Sequence, residues 1–170
     1  MTAARSGYDA RARGAFAART LADVEARRAM IERIGRLSDN LIGWGPFGIG
    51  LDGVLAWIPG LGELYSAGAG AWLVFEGWRA RAPLSVLIQV GAIIALRTAI
   101  DFGNVVPVLG VGSSVIVDLF RGHRWAARIL TRAIDQTVYL EGAPDPASAA
   151  YRQAEAQLRQ GGKRRIVSLG

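Results

Sequence analysis

Asp52, Glu63, Arg97, Asp101 and Asp118 are charged residues set among long aliphatic runs, and any chemistry this chain performs would have to start from them. A charge placed in an apolar layer costs about 3 kcal/mol, so each needs a partner or a use. Arg97 and Asp101 are four apart, which puts them on one helix face within pairing reach. Arg97 can also be shared with Asp52, giving a cluster of acid, Arg and acid. Such a cluster can serve as a polar clamp between two hairpins or as a path for protons or ions, and the clamp is the preferred reading. Glu63 directly follows a Pro-Gly break, where the exposed amides of a helix N-terminus favour an acid. Glu76, close to Trp78, reads as interfacial.

The rest of the inventory is sparse. The single histidine, His123, sits in a basic segment with no acid nearby, and no Ser stands in a nucleophile-elbow motif, so hydrolytic chemistry is not expected. Gly48-Ile49-Gly50 and Gly110-Val111-Gly112 lack the Lys-Ser/Thr of a phosphate loop. One histidine and no cysteine give no transition-metal ligand set and no disulfide. No enzyme, cofactor or metal is expected.

The elements that would hold these residues are apolar to an unusual degree. Counting Gly and leaving out Tyr, apolar residues make up roughly 62% of the 170, against about 45–50% in soluble domains. Leu41 to Trp78 runs for 38 positions without one Lys or Arg. The chain then breaks twice in the same way, at Ile58-Pro59-Gly60-Leu61-Gly62 and at Val106-Pro107-Val108-Leu109-Gly110, with 48 residues between the two prolines. Pro59, Gly62, Pro107 and Gly110 are thus matched helix breakers, and the match reads as an internal repeat of two helix–breaker–helix units.

Charge is segregated as well. Residues 41 to 120 hold three Arg and five acids, whereas the flanks carry 17 basic and nine acidic residues, within an overall charge of +6 and a pI near 10.7. Basic flanks around an apolar middle suit anionic lipid headgroups and the cytoplasmic ends of membrane helices. Nucleic acid is not expected as a partner, because no recognition motif or aromatic-interleaved basic face stands here. Trp44, Trp57, Trp72, Trp78 and Trp125 lie largely at the edges of the apolar stretches, as belt residues would, although Trp57 and Trp72 would equally suit a core.

Residues 1–40 read as an amphipathic N-terminal helix over about Tyr8 to Leu37. Residues 41–135 read as a membrane-embedded repeat domain, with a half-helix over Phe47 to Ile58, a return helix over Glu63 to Trp78 and a spanning helix from Leu84 to Ile100. Residues 136–170 read as a polar tail with a short helix from about Ala147 to Gln160. The expectation is an all-α integral membrane protein, with two Pro/Gly-broken helical hairpins flanked by amphipathic helices. Both termini would face the cytoplasm at a bacterial inner membrane.

The run Phe47-Gly48-Ile49-Gly50-Leu51-Asp52-Gly53-Val54-Leu55-Ala56-Trp57-Ile58-Pro59-Gly60-Leu61-Gly62-Glu63, with Ala99-Ile100-Asp101-Phe102-Gly103-Asn104-Val105-Val106-Pro107-Val108-Leu109-Gly110 further on, resembles the bacterial and archaeal domain of unknown function 4112 family. The likeness covers roughly Ile34 to Ile134. It implies a small membrane protein and brings no reaction with it. After Gly110 the family tends to place an acid, where this chain has Val111-Gly112-Ser113-Ser114.

Function is therefore expected to be structural, scaffolding or membrane-organising, with lipids and further copies of the chain, or a larger membrane assembly, as partners. A small channel or transporter using Asp52, Arg97 and Asp101 is the alternative, and a soluble helical interaction protein is the second.

Overall fold

Thr20 opens the first helix by a reciprocal cap: its Oγ1 accepts from the Asp23 amide at 3.0 Å, and Asp23 Oδ2 accepts from the Arg19 and Thr20 amides at 3.0 and 3.1 Å. The computed structural model describes residues 16–39, 42–44, 47–49, 61–105, 122–142 and 144–170. Within them run α1 (Leu21–Asp39), β1 (Ile42–Trp44), β2 (Phe47–Ile49), α2 (Leu61–Arg79), α3 (Leu84–Val105), α4 (Gly122–Asp135), β3 (Thr137–Leu140), α5 (Ala149–Arg159) and β4 (Arg165–Ser168).

The first four helices form an up-down-up-down bundle. Helices α1 and α4 are antiparallel: Arg28 pairs with Asp135 at 2.8 Å near one end, and Gly35 abuts Ala127 towards the other. Helices α2 and α3 are antiparallel too, with Gly70 against Ile94 and Gly77 against Leu87. Val24, Ile31, Leu73, Val90 and Leu130 fill the middle, each at 3% exposure or less. Each helix supplies them from one apolar stripe, the arrangement that buries most oil for four cylinders.

The turn between α2 and α3 explains itself residue by residue. The amides of Ala82 and Arg81 donate to the carbonyls of Gly77 and Trp78 at 2.9 and 3.0 Å, a Schellman closure that requires a left-handed residue. That residue is Arg81, with φ 57°, where glycine is usual. Pro83 then presets the next helix, its carbonyl accepting from Val86 and Leu87 at 3.0 and 3.1 Å.

Two small sheets complete the described residues. β1 and β2 pair antiparallel with Gly43 opposite Gly48, and β3 and β4 pair parallel with Tyr139 opposite Val167, α5 making the crossover between them. The C-terminal residues are woven into the bundle rather than trailing from it, since Leu169 is only 1% exposed.

The expectation of an all-α integral membrane fold with two broken hairpins is corrected here. Among the described residues no helix is long and apolar enough to cross a membrane, and four strands accompany the helices. Leu84 to Ile100, read as a span, lies in α3 and turns Leu87, Val90, Ile94 and Arg97 into the bundle. Phe47 to Ile49, read as the start of a half-helix, is a strand instead. Gly43, Gly45, Pro46 and Gly48 deprive that stretch of helix propensity and leave a hairpin as the cheaper local structure.

Candidate interaction site

The charged residues singled out by sequence separate into three groups. Asp52 and Asp118 lie outside the described residues, as do the breakers Pro59, Pro107 and Gly110. Gly62 and Glu63 fall in the first turn of α2 and Asp101 near the end of α3, where the backbone alone is described. Arg97 is buried in the bundle at 9% exposure, one helical turn before Asp101. An Asp52, Arg97, Asp101 cluster therefore lies partly outside the described residues.

A different polar cluster, around the α2–α3 turn, is fully visible. Glu76 is completely buried and pairs with Arg27 at 3.5 Å and Arg79 at 3.4 Å. It is not interfacial, as its position beside Trp78 had suggested. The Arg79 guanidinium also donates to the Phe16 carbonyl at 2.9 Å and lies 5.4 Å from the centre of the Phe75 ring. Arg81 donates to three carbonyls, those of Ala18, Ser168 and Leu169, at 3.0 to 3.1 Å.

The last carbonyls of α2, which a helix end leaves without intrahelical partners, are taken up in turn. Arg79 O accepts from the Ala18 amide and Ala80 O from the Tyr139 hydroxyl, both at 2.8 Å, and Arg81 O accepts from Arg165. The N-terminal segment, β3 and the C-terminus all meet at this one turn. Burial pushes the Tyr139 hydroxyl above its ordinary pKa. Every charge in this hub is committed to holding chain segments together, so it is a structural knot. Its trace in the sequence is the pair Arg79 and Arg81 in the short polar link between two apolar runs.

An open cleft of about 330 Å³ lies between the start of α1, β3 and α5, with Leu21, Leu140, Gln153, Gln157 and Lys163 on its walls. Lys163 donates to the Asp135 carbonyl at 2.6 Å, so its charge is turned to the protein. Among the described residues no group of three or more His, Asp or Glu is placed to hold a metal ion. His123, read as part of a basic exit helix, is fully buried at the start of α4.

The outer surface of the α2–α3 hairpin stands apart from all of these. From Leu64 to Ala99 the exposed residues are Leu64, Gly68, Ala71 and Trp72 on α2, and Leu84, Ser85, Ile88, Gln89, Ala92, Ala95, Leu96 and Ala99 on α3. None carries a charge. The opposite side of the bundle exposes Arg33 and Arg36 on α1 and Arg128, Arg132 and Asp135 on α4. Helices that are apolar towards the core and again towards the outside are built to meet a second apolar surface.

No curated protein and no solved structure matches the chain. Residues 27–134 match the family described as Domain of unknown function (DUF4112), and that stretch reaches from the first helix of the bundle to the last turn of its fourth, ending before β3. The match covers most of the four-helix bundle, and this chain belongs to the DUF4112 family.

Proposed function

We propose that this chain is a non-enzymatic organising protein of a membrane surface, attached by basic flanks to anionic headgroups and joined to its partners through the apolar hairpin. The observation that supports this most is the charge-free outer surface between Leu64 and Ala99. Among the described residues of the helices, the exposed charged side chains lie on α1, α4 and α5. Attachment falls to the exposed basic residues Arg33, Arg36, Arg128, Arg132, Arg152, Arg159 and Arg164, each worth about 1 kcal/mol beside an anionic leaflet.

Cell fractionation with a carbonate wash tests the placement. The chain is expected in the membrane fraction and is expected to leave it in carbonate. Purified protein should also sediment with vesicles containing phosphatidylglycerol, and less so as salt rises. Recovery from the cytosol together with indifference to anionic vesicles would sink the reading.

A further inference from the structure

We infer that the outer face of the α2–α3 hairpin is a self-docking surface whose occupant is a second copy of this chain, related by a twofold axis. The inference rests on the organising role proposed above and names the partner at its apolar surface. Three observations point to a like copy.

The first is relief. The register that sets Gly70 against Ile94 and Gly77 against Leu87 brings Leu96 to the height of Gly68 and Trp72 to the height of Ala92. Leu96 and Trp72 therefore each have a small exposed residue beside them on the neighbouring helix. A ridged surface of this kind fits its own inverse when turned about a twofold axis, the large residues of one copy entering the small positions of the other.

The second is area. Leu64, Trp72, Leu84, Ile88 and Leu96 are 48 to 72% exposed, which leaves on the order of 600 Å² of apolar side chain uncovered, the upper end of what a monomer shows. Two such faces brought together reach about 1,200 Å², the lower limit of a specific stable interface, before the alanines and glycine are added.

The third is charge. Identical faces can meet only where they do not repel, and this one is neutral in a chain of net charge +6. The cations nearest its upper rim, Arg79 and Arg81, are turned to Glu76 and to the carbonyls of Phe16, Ala18, Ser168 and Leu169. A face meant for lipid would keep such residues extended towards headgroups.

The test is the mass of the full chain in solution, by sedimentation or light scattering across a concentration series. A particle of twice 18.1 kDa is expected. Gly68→Glu is the sharpest variant, because a Cβ at Gly68 meets nothing within 4 Å in its own protomer. Gly68→Glu and Ile88→Glu should each weaken dimerisation at least a hundredfold with the far-ultraviolet circular dichroism unchanged, while Ala29→Glu on α1 leaves it intact. A monomer, or a dimer indifferent to both changes, overturns the inference. So does a monomer whose Ala92→Cys thiol, the sole cysteine, is shielded from a labelling reagent, which would give the face to the chain's own residues. A monomer that enters phosphatidylcholine vesicles unless Ile88 is changed to Glu overturns it in favour of lipid. A native chain that is monomeric yet attaches to membranes in a carbonate-sensitive way would sink this inference alone.

Discussion

Arg81 carries more of the architecture than any other single residue described. A non-glycine residue at φ 57° costs about 1 kcal/mol or more, and the chain tolerates it because the same residue ties Ala18, Ser168 and Leu169 to the end of α2. Arg81→Ala keeps the unfavourable backbone and loses the three bonds, so a destabilisation of about 2–3 kcal/mol is expected in urea unfolding. Arg81→Gly loses the same bonds but relieves the backbone, and should be less damaging by about 1 kcal/mol. Equal losses would show that the left-handed turn stores no strain. Asp23 makes a prediction in pH. The Arg19 amide first, and then the Thr20 amide, hold its carboxyl below the ordinary value of 3.8. A depressed folded-state pKa contributes stability above the unfolded value and loses it as pH falls through the folded one. The stability difference between the native chain and Asp23→Asn should therefore be present at neutral pH and fade as pH falls below the ordinary carboxylate value of 3.8. A difference that persists into acid would assign Asp23 no role as a charged cap.

At the scale of elements, two glycines in similar helical settings have opposite tasks. A Cβ on Gly35 would stand 2.6 Å from that of Ala127, so the missing side chain is what lets α1 and α4 approach closely. Gly68 faces open space on α2. Gly35→Ala should destabilise by roughly 1–3 kcal/mol through overpacking, whereas Gly68→Ala should stabilise α2 of the dissociated monomer by about 1 kcal/mol through helix propensity. Thermal melts of the two variants, shifted in opposite directions, would confirm the assignment, and a shift of the same sign would remove it. The role of Gly35 could not be read from the sequence, in which it sits in a helix-forming neighbourhood. The helices themselves were legible: the runs read as Glu63–Trp78 and Leu84–Ile100 lie within α2 and α3, and the polar helix near residues 147–160 is α5. For α2 and α3, continuous apolar runs of helical length bounded by breaker and charged residues were enough.

Over the whole molecule, the last residues act as a strap. Leu169, 1% exposed, plugs the bundle beneath the α2–α3 turn, while β4 pairs with β3 and Arg81 holds the terminal carbonyls. Leu169→Ala is expected to cost about 3 kcal/mol and to lower Tm by roughly 10 °C. Leu84→Ala, at a position 64% exposed, should leave the monomer's Tm nearly unchanged. A Leu169→Ala protein that melts with the native chain would show that the strap is dispensable. The molecule also separates its charges by side. Arg and acid pairs such as Arg28 with Glu32 and Asp135 decorate α1 and α4, and the α2–α3 side is bare.

The sequence by itself determined the mostly helical character of the chain, the apolar runs of α2 and α3, the basic flanks and, through the Gly-Leu-Asp and Ile-Pro-Gly patterns, membership of a family. Those are properties of composition and local spacing. What it left open was the solvent of the apolar surfaces, because a side chain that avoids water is equally served by lipid, by a neighbouring helix or by another copy. Only the tertiary structure showed that Leu73, Val90 and Leu130 shelter one another, and that Glu76, Arg79 and Arg81 knot one turn. It also showed which leucines remain uncovered. Burial is decided by which faces meet across distant parts of the chain, and no local period encodes that.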